Sequence, residues 1–217
     1  MMGPLAAGSI ADCHTHTRFS DGVGTFEENA RAAAAAGCAV LVSTDHLTLP
    51  EAMDPTGSVQ VVEGELVAHR AAWEAARDAH PELEMVYGFE CDWYPGCEGN
   101  VLRWSSGAQV LLGSVHWLGE KDDGGWIDDV SDTRVWRELG PDGVWRAYVD
   151  AWCAACESDL PFDVMAHPDL PARMRNEGFA PTIDLEPLWD RMAACARDTG
   201  RRAELSTAGW RKGVGDY

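Results

Sequence analysis

The segment Asp12-Cys13-His14-Thr15-His16 sets three polar side chains at alternate positions. In an extended strand alternate residues share a face, so the two imidazoles project together with Asp12 beside them. Such a pair can chelate a divalent ion while Asp12 orients a ring from behind, or it can be satisfied by hydrogen bonds alone. Further donors close other short, mainly apolar runs: His46 after the apolar residues 39–42 and Ser43-Thr44-Asp45, Glu90 within Gly88-Phe89-Glu90-Cys91-Asp92, His116 after 110–115, and His167 directly after 163–166. Apolar runs that end in His or Glu gather nitrogen and oxygen donors at one mouth of a sheet or barrel. This distribution points to a multi-ligand metal site. His69 and His80 lie in or beside a helical pattern with no ligand spacing and read as exposed helical histidines.

These donors need elements that hold their ends together. Six short β-branched or apolar runs read as strands, at 9–14, 39–46, 84–93, 110–118, 163–167 and 202–206. Between them lie helical patterns at 25–36, opened by a Thr-x-x-Glu capping box, and at 63–79, 141–157 and 184–199. Alternation of strand and helix implies a parallel α/β sheet, open and doubly wound or closed into a barrel, with function at the carboxyl ends of the strands. No repeat or low-complexity linker divides the chain, so residues 1–217 read as a single domain.

Composition narrows the function. The 217 residues are 46% apolar and 24% charged, as in ordinary folded proteins. Lys and Arg total 17 against 36 Asp and Glu, a formal charge of −19, which repels a phosphate backbone and disfavours nucleic acid as a partner. The longest apolar run, 32–42, falls well short of the roughly 18 residues that span a bilayer, and the weakly basic, weakly apolar N-terminus does not read as a secretory signal. The expectation is a cytoplasmic protein without a membrane partner, whose seven cysteines are reduced, buried thiols. Cys153-x-x-Cys156 sits in a helical pattern and reads as structural. The acidic stretch 120–132 reads as a solvated loop and a lid, and Trp93, Trp117 and Trp210 as pocket or packing residues.

Taken in order, Asp12-Cys13-His14-Thr15-His16-Thr17-Arg18-Phe19-Ser20-Asp21-Gly22, Ser43-Thr44-Asp45-His46, Gly88-Phe89-Glu90-Cys91-Asp92, Gly113-Ser114-Val115-His116 and Ala166-His167-Pro168-Asp169-Leu170 resemble five motifs of the PHP (polymerase and histidinol phosphatase) family. Glu204-Leu205-Ser206-Thr207-Ala208-Gly209-Trp210-Arg211-Lys212 is similar to a Glu-x-Asn-Thr-x-Gly-x-Arg-Lys segment of its histidinol-phosphate phosphatase branch, with Ser206 and Trp210 as departures. The resemblance implies a distorted (β/α)7 barrel of the PHP type and a cluster of two to three divalent metal ions, Zn, Mn or Fe. It implies that His14 and His16 hold one ion, that Glu90 bridges it to a second held by His116 and His167, and that Asp21 with His46 holds a third. Asp12, Asp45 and Asp92 are expected behind these ligands or in structural roles.

The implied activity is hydrolysis of a small phosphorylated substrate, a monoester such as L-histidinol phosphate, by water deprotonated on the ions. Arg211 is the expected phosphate clamp, because a guanidinium fork matches two phosphate oxygens, and Arg173 is a second candidate. A nucleotide phosphodiesterase of the same family and a non-catalytic metal-binding remnant are the alternatives. The family's final Asp-x-His motif is absent before Tyr217. The expectation is therefore a barrel incomplete at its C-terminal strand, from a truncated or naturally shortened chain, with weak activity and open edges that invite a homodimer.

Overall fold

The computed structural model describes residues 10–211, apart from the side chains of Ala208 and Arg211. In chain order the elements are β1 (Ile10–Thr15), α1 (Phe26–Ala35), β2 (Cys38–Leu47), α2 (Leu66–Ala79), β3 (Glu84–Asp92), α3 (Glu98–Trp104), β4 (Val110–Ser114), β5 (Trp117–Glu120), β6 (Asp123–Trp126), α4 (Arg134–Glu157), β7 (Val164–Met165), α5 (Glu186–Thr199), β8 (Arg202–Ala203) and α6 (Ala208–Arg211). Six strands form one parallel sheet in the order β1-β2-β3-β4-β7-β8, so every crossover runs to the adjacent strand. An unbroken sequential order is that of a barrel wall, because a doubly wound sheet reverses its strand order part-way. The sheet is curled. His14 of β1 reaches Glu204, which follows β8 at the opposite edge, with 3.0 Å between Nδ1 and Oε1.

Local sequence accounts for the framework. β2 and β3 carry almost continuous buried runs, as strands covered on both faces must. Helix α1 opens on the expected capping box: the Thr25 hydroxyl accepts from the Glu28 amide at 3.1 Å, and the Glu28 carboxylate accepts from the Thr25 amide at 2.8 Å. Helix α4 starts before the expected residue 141. Gly140, at φ 67°, breaks the helical path just ahead of Pro141, so the piece from 141 onward is the one with a readable period. Its buried Tyr148 and Trp152 join the main core with the strands, while Trp145 packs with Ala172 and Leu185.

Three expectations need correction. Residues 110–118 are not one strand: β4 ends at Ser114, and Trp117 begins an antiparallel hairpin of β5 with β6. The stretch 120–132 is therefore half of that hairpin followed by a turn rather than a solvated loop. Its charged residues hid the strand, but Trp117 is buried with Leu49 and Met53. Helix α3 was missed because its Gly99 and Asn100 blur the apolar period. All seven cysteines carry free thiols, with Cys13 exposed and Cys38 half-buried. No helix among the described residues is long and apolar enough to cross a membrane.

Candidate metal centre

Glu90 is the hub. In the β2–β3 register it lies directly beside His46, and its side chain is 1% exposed. Five imidazoles converge on its two oxygens: on Oε2, His14 Nε2 at 3.0 Å, His16 Nε2 at 3.2 Å and His46 Nδ1 at 3.3 Å; on Oε1, His167 Nε2 at 2.7 Å and His116 Nε2 at 3.6 Å. Each comes from the carboxyl end of a different parallel strand or, for His14 and His16, from the same one. The alternation expected of the first motif holds for this pair, whose Nε2 atoms lie 3.1 Å apart. Asp21 joins from the following loop, with Oδ1 2.6 Å from His16 Nδ1 and 3.7 Å from His46 Nε2.

Carboxylates behind the rings decide which nitrogens face inward. Asp92 Oδ1 accepts from His116 Nδ1 at 3.0 Å and from the His116 amide at 2.8 Å, which leaves Nε2 directed at Glu90. Asp12 does not play this part for His14. It is exposed on the edge strand, and the ring is met instead by Glu204, a residue not expected in the site. Glu204 also accepts the His167 amide at 2.9 Å. That amide belongs to a residue at φ 24°, a strained backbone for a side chain with a Cβ. The Tyr148 hydroxyl donates to the His167 carbonyl at 2.6 Å and Trp152 to the Ala166 carbonyl at 3.1 Å, so the strained turn is held from three sides. The signal for Glu204 was present in the sequence, a lone carboxylate directly after the last short strand, but nothing local links it to a histidine 190 positions away.

Electrostatics follow from burial and crowding. Burial opposes charge on Glu90, yet the surrounding imidazoles hold its carboxyl well below the usual range. Burial likewise opposes protonation of His16 and His116, but their carboxylate partners raise both to about 9. His46, where burial wins, falls to about 4. Burial also disfavours charge on Asp21 and Glu204, and their hydrogen bonds to His16 and His14 lower each to about 2. The centre is thus a buried anion that requires positive charge around it. Two observations bear on whether a cation suits it. His46 Nδ1, although 3.3 Å from Glu90 Oε2, makes no well-aligned hydrogen bond, and His167 Nδ1 is buried without a partner. Three donor groups, His14–His16–Glu90, His16–Asp21–His46 and His46–Glu90–His116, each offer ligand atoms within 4.8 Å of one another. Imidazole and carboxylate donors at this density fit a divalent transition ion.

The arginine expectations divide. Arg173 is half-buried and donates from Nε to the Asp128 carbonyl at 2.7 Å. The side chain of Arg211 lies outside the described residues. Trp93 and Trp117 line a cleft of about 640 Å³ together with Tyr94 and Arg134, whereas Trp210 is exposed. His80 is half-buried rather than exposed, with its ring nitrogens on Glu27 and Glu82. His69 departs further and is fully buried.

The sequence matches the PHP domain family over residues 12–208. The chain belongs to the PHP family. A curated PHP relative, named a probable histidinol-phosphatase in Deinococcus radiodurans, is 30% identical over 95% of this chain and 76% of its own length. Two solved structures share the PHP fold. A Listeria monocytogenes protein provisionally assigned as a histidinol phosphatase superposes with a TM-score of 0.78 at 18% identity, covering 94% of this chain and 85% of that one. The Lactococcus lactis histidinol phosphate phosphatase, solved with zinc, L-histidinol and phosphate, gives 0.67 at 15% identity over 90% of this chain and 72% of that one. The six-stranded curled sheet is consistent with an incomplete PHP barrel.

Proposed function

We propose that this chain is a metal-dependent phosphatase that hydrolyses L-histidinol phosphate at the Glu90 centre, in one PHP domain spanning the chain and working in the cytoplasm. The observation that carries the reading is the convergence of five imidazoles on one buried carboxylate at the carboxyl ends of a curled parallel sheet. The names of the Deinococcus and Lactococcus relatives support the substrate.

His14, His16 and Glu90 would hold one ion, Glu90 with His116 and His167 a second, and Asp21 with His46 a third. Zinc, manganese and iron all suit this donor set. Bound there, divalent ions would neutralise phosphoryl charge and lower the pKa of a water toward ~7, which supplies a nucleophile at neutral pH. The protein's own groups do the rest. Glu204 and Asp92 keep protons on the Nδ1 atoms of His14 and His116, so that the Nε2 lone pairs face inward. Arg211 clamps the phosphoryl oxygens through its fork, with Arg173 as a second contact. The acidic surface favours a substrate bearing an ammonium group, and the exposed β1 edge supports homodimer formation.

The test is phosphate release from L-histidinol phosphate and from a phosphodiester, before and after chelation and after return of Zn²⁺, Mn²⁺ or Fe²⁺. Metal-dependent cleavage of the monoester is expected; a protein that binds none of these ions, or that cleaves the diester equally well, would overturn the reading. Arg211→Ala should lower kcat/KM at least ~30-fold with metal content unchanged, since a bidentate charge-assisted contact is worth ~2 kcal/mol or more. An unchanged kcat/KM removes Arg211 from the site.

A further inference from the structure

His69 lies on α2, a layer outside the metal centre, yet it is fully buried and boxed in by rings. Phe19, Phe26 and Phe89 have centroids at 5.1, 4.9 and 5.1 Å from its own. Its Nε2 meets Asp45 Oδ2 at 2.9 Å, and its Nδ1 meets the Tyr87 hydroxyl at 2.8 Å. The Asp45 carboxylate only accepts, so a His69 proton sits on Nε2 and is donated to it, while the Tyr87 hydroxyl meets Nδ1.

Asp45 precedes His46 on β2, and alternation sends the two side chains to opposite faces of the sheet. On the outer face the Asp45 carboxylate, fully buried, gathers one loop. Oδ1 accepts the Thr17 amide at 2.5 Å and the Ser20 hydroxyl at 2.6 Å, while Oδ2 accepts the Thr17 hydroxyl at 2.8 Å. That loop runs from His16 to Asp21, so the two site residues flank the segment that Asp45 grips. Phe19 at its centre packs on the His69 ring itself. The loop closes back on His16 so tightly that a Cβ at Gly22 would lie 2.4 Å from the His16 carbonyl carbon, and a displacement at Thr17 therefore moves Asp21 as well. Without the His69 proton, Asp45 Oδ2 keeps a single donor from the loop it must hold.

We propose that His69 is a positioning residue: through Asp45 it fixes the loop that presents Asp21, and so sets the occupancy of the ion at Asp21 and His46. The proposal rests on the metal assignment above, and its test separates the two. His69→Phe fills the same space but cannot donate to Asp45, whereas His69→Gln can. In the metal-free protein, hydrogen exchange of the 17–22 amides should quicken in His69→Phe at least tenfold and remain near wild type in His69→Gln. Loop exchange unchanged in His69→Phe would overturn the proposal, whatever the metal chemistry. In stepwise Mn²⁺ titrations followed by electron paramagnetic resonance, His69→Phe should weaken one step by about 10- to 100-fold. That step should be the one Asp21→Asn also weakens, and the double variant should lose no more than the worse single one. Additive losses, or a loss spread over all steps, would overturn it. A wild-type protein that binds none of Mn²⁺, Zn²⁺ and Fe²⁺ refutes the metal assignment, and exchange alone then decides the role of His69. If His69→Phe fails to fold, His69→Met, which also cannot donate to Asp45, takes its place with the same two readouts and the same outcomes.

Discussion

Replacing Glu204 with glutamine separates two jobs that one carboxylate performs. Oε2 accepts the amide of His167, a backbone donor that cannot change its nature, and Oε1 accepts from His14 Nδ1. In Glu204→Gln the amide oxygen must face the His167 N–H, so the NH₂ group faces His14 Nδ1. An NH₂ group only donates, and His14 is driven to the tautomer with its proton on Nε2, the nitrogen 3.0 Å from Glu90 and 3.1 Å from His16 Nε2. That nitrogen has no lone pair left for an ion. Loss of an orienting carboxylate behind a ligating histidine costs about 10- to 100-fold in metal affinity, or about 1.4–2.7 kcal/mol. The strained His167 turn keeps its acceptor, so the metal-free fold should lose only the pairing with His14. Glu204→Ala removes both contacts and leaves the His167 amide without an acceptor, for an expected loss of about 2–4 kcal/mol of stability in addition to the metal. The assay is competition for Zn²⁺ against a chromophoric chelator, with calorimetric Tm of the metal-free protein alongside. Glu204→Gln that binds Zn²⁺ as tightly as wild type would refute the tautomer argument, and equal Tm losses in the two variants would refute the division of labour.

Arg201 donates to the carbonyls of Cys156, Ser158, Leu160 and Phe162, which ties the end of α4 to the entry of β7; Arg201→Lys cannot reproduce the fork and should lower stability by about 2–4 kcal/mol in urea unfolding. Gly22→Ala should destabilise the metal-free protein by about 1–3 kcal/mol, because its Cβ would lie 2.4 Å from rigid backbone at His16; a wild-type Tm would contradict the packing of that loop. In the metal-free protein the raised pKa values of His16 and His116 contribute stability that is complete below about pH 6.5 and is lost as pH rises through about 9, and the raised His14 acts in the same sense. The lowered His46 acts in the opposite sense, losing stability as pH falls from about 6.5 to 4, and the lowered Asp21 and Glu204 lose theirs from about 4 down to 2. Thermal scans of chelated protein should therefore peak near pH 6–6.5, and a Tm still rising at pH 9 would contradict the assigned pairings.

The donors at the Glu90 hub were legible because each ends an apolar run, and buried strands tolerate few polar residues unless those residues meet a partner. Strand ends in a parallel sheet also share one rim, so runs far apart in the chain could be assigned to one place. The capping box of α1 and the alternating strands and helices were equally local signals. What the tertiary structure decided was which groups stand behind these rings. Asp12 looked suited to orient His14 by proximity in the chain, but an edge strand leaves it exposed, and curling brings Glu204 from the far edge instead. His69 carried no ligand spacing because it is no ligand: its partner, Asp45, faces the outer layer, and only packing of α2 against the sheet brings the two within 2.9 Å. The hairpin β5–β6 was hidden by its charged turn, and its register depends on burial of Trp117 beneath the loop at Leu49 and Met53. Periodicity reports the face a residue occupies on its own element. The identity of the group opposite depends on how elements pack, and for Glu204 and His69 that information is not local.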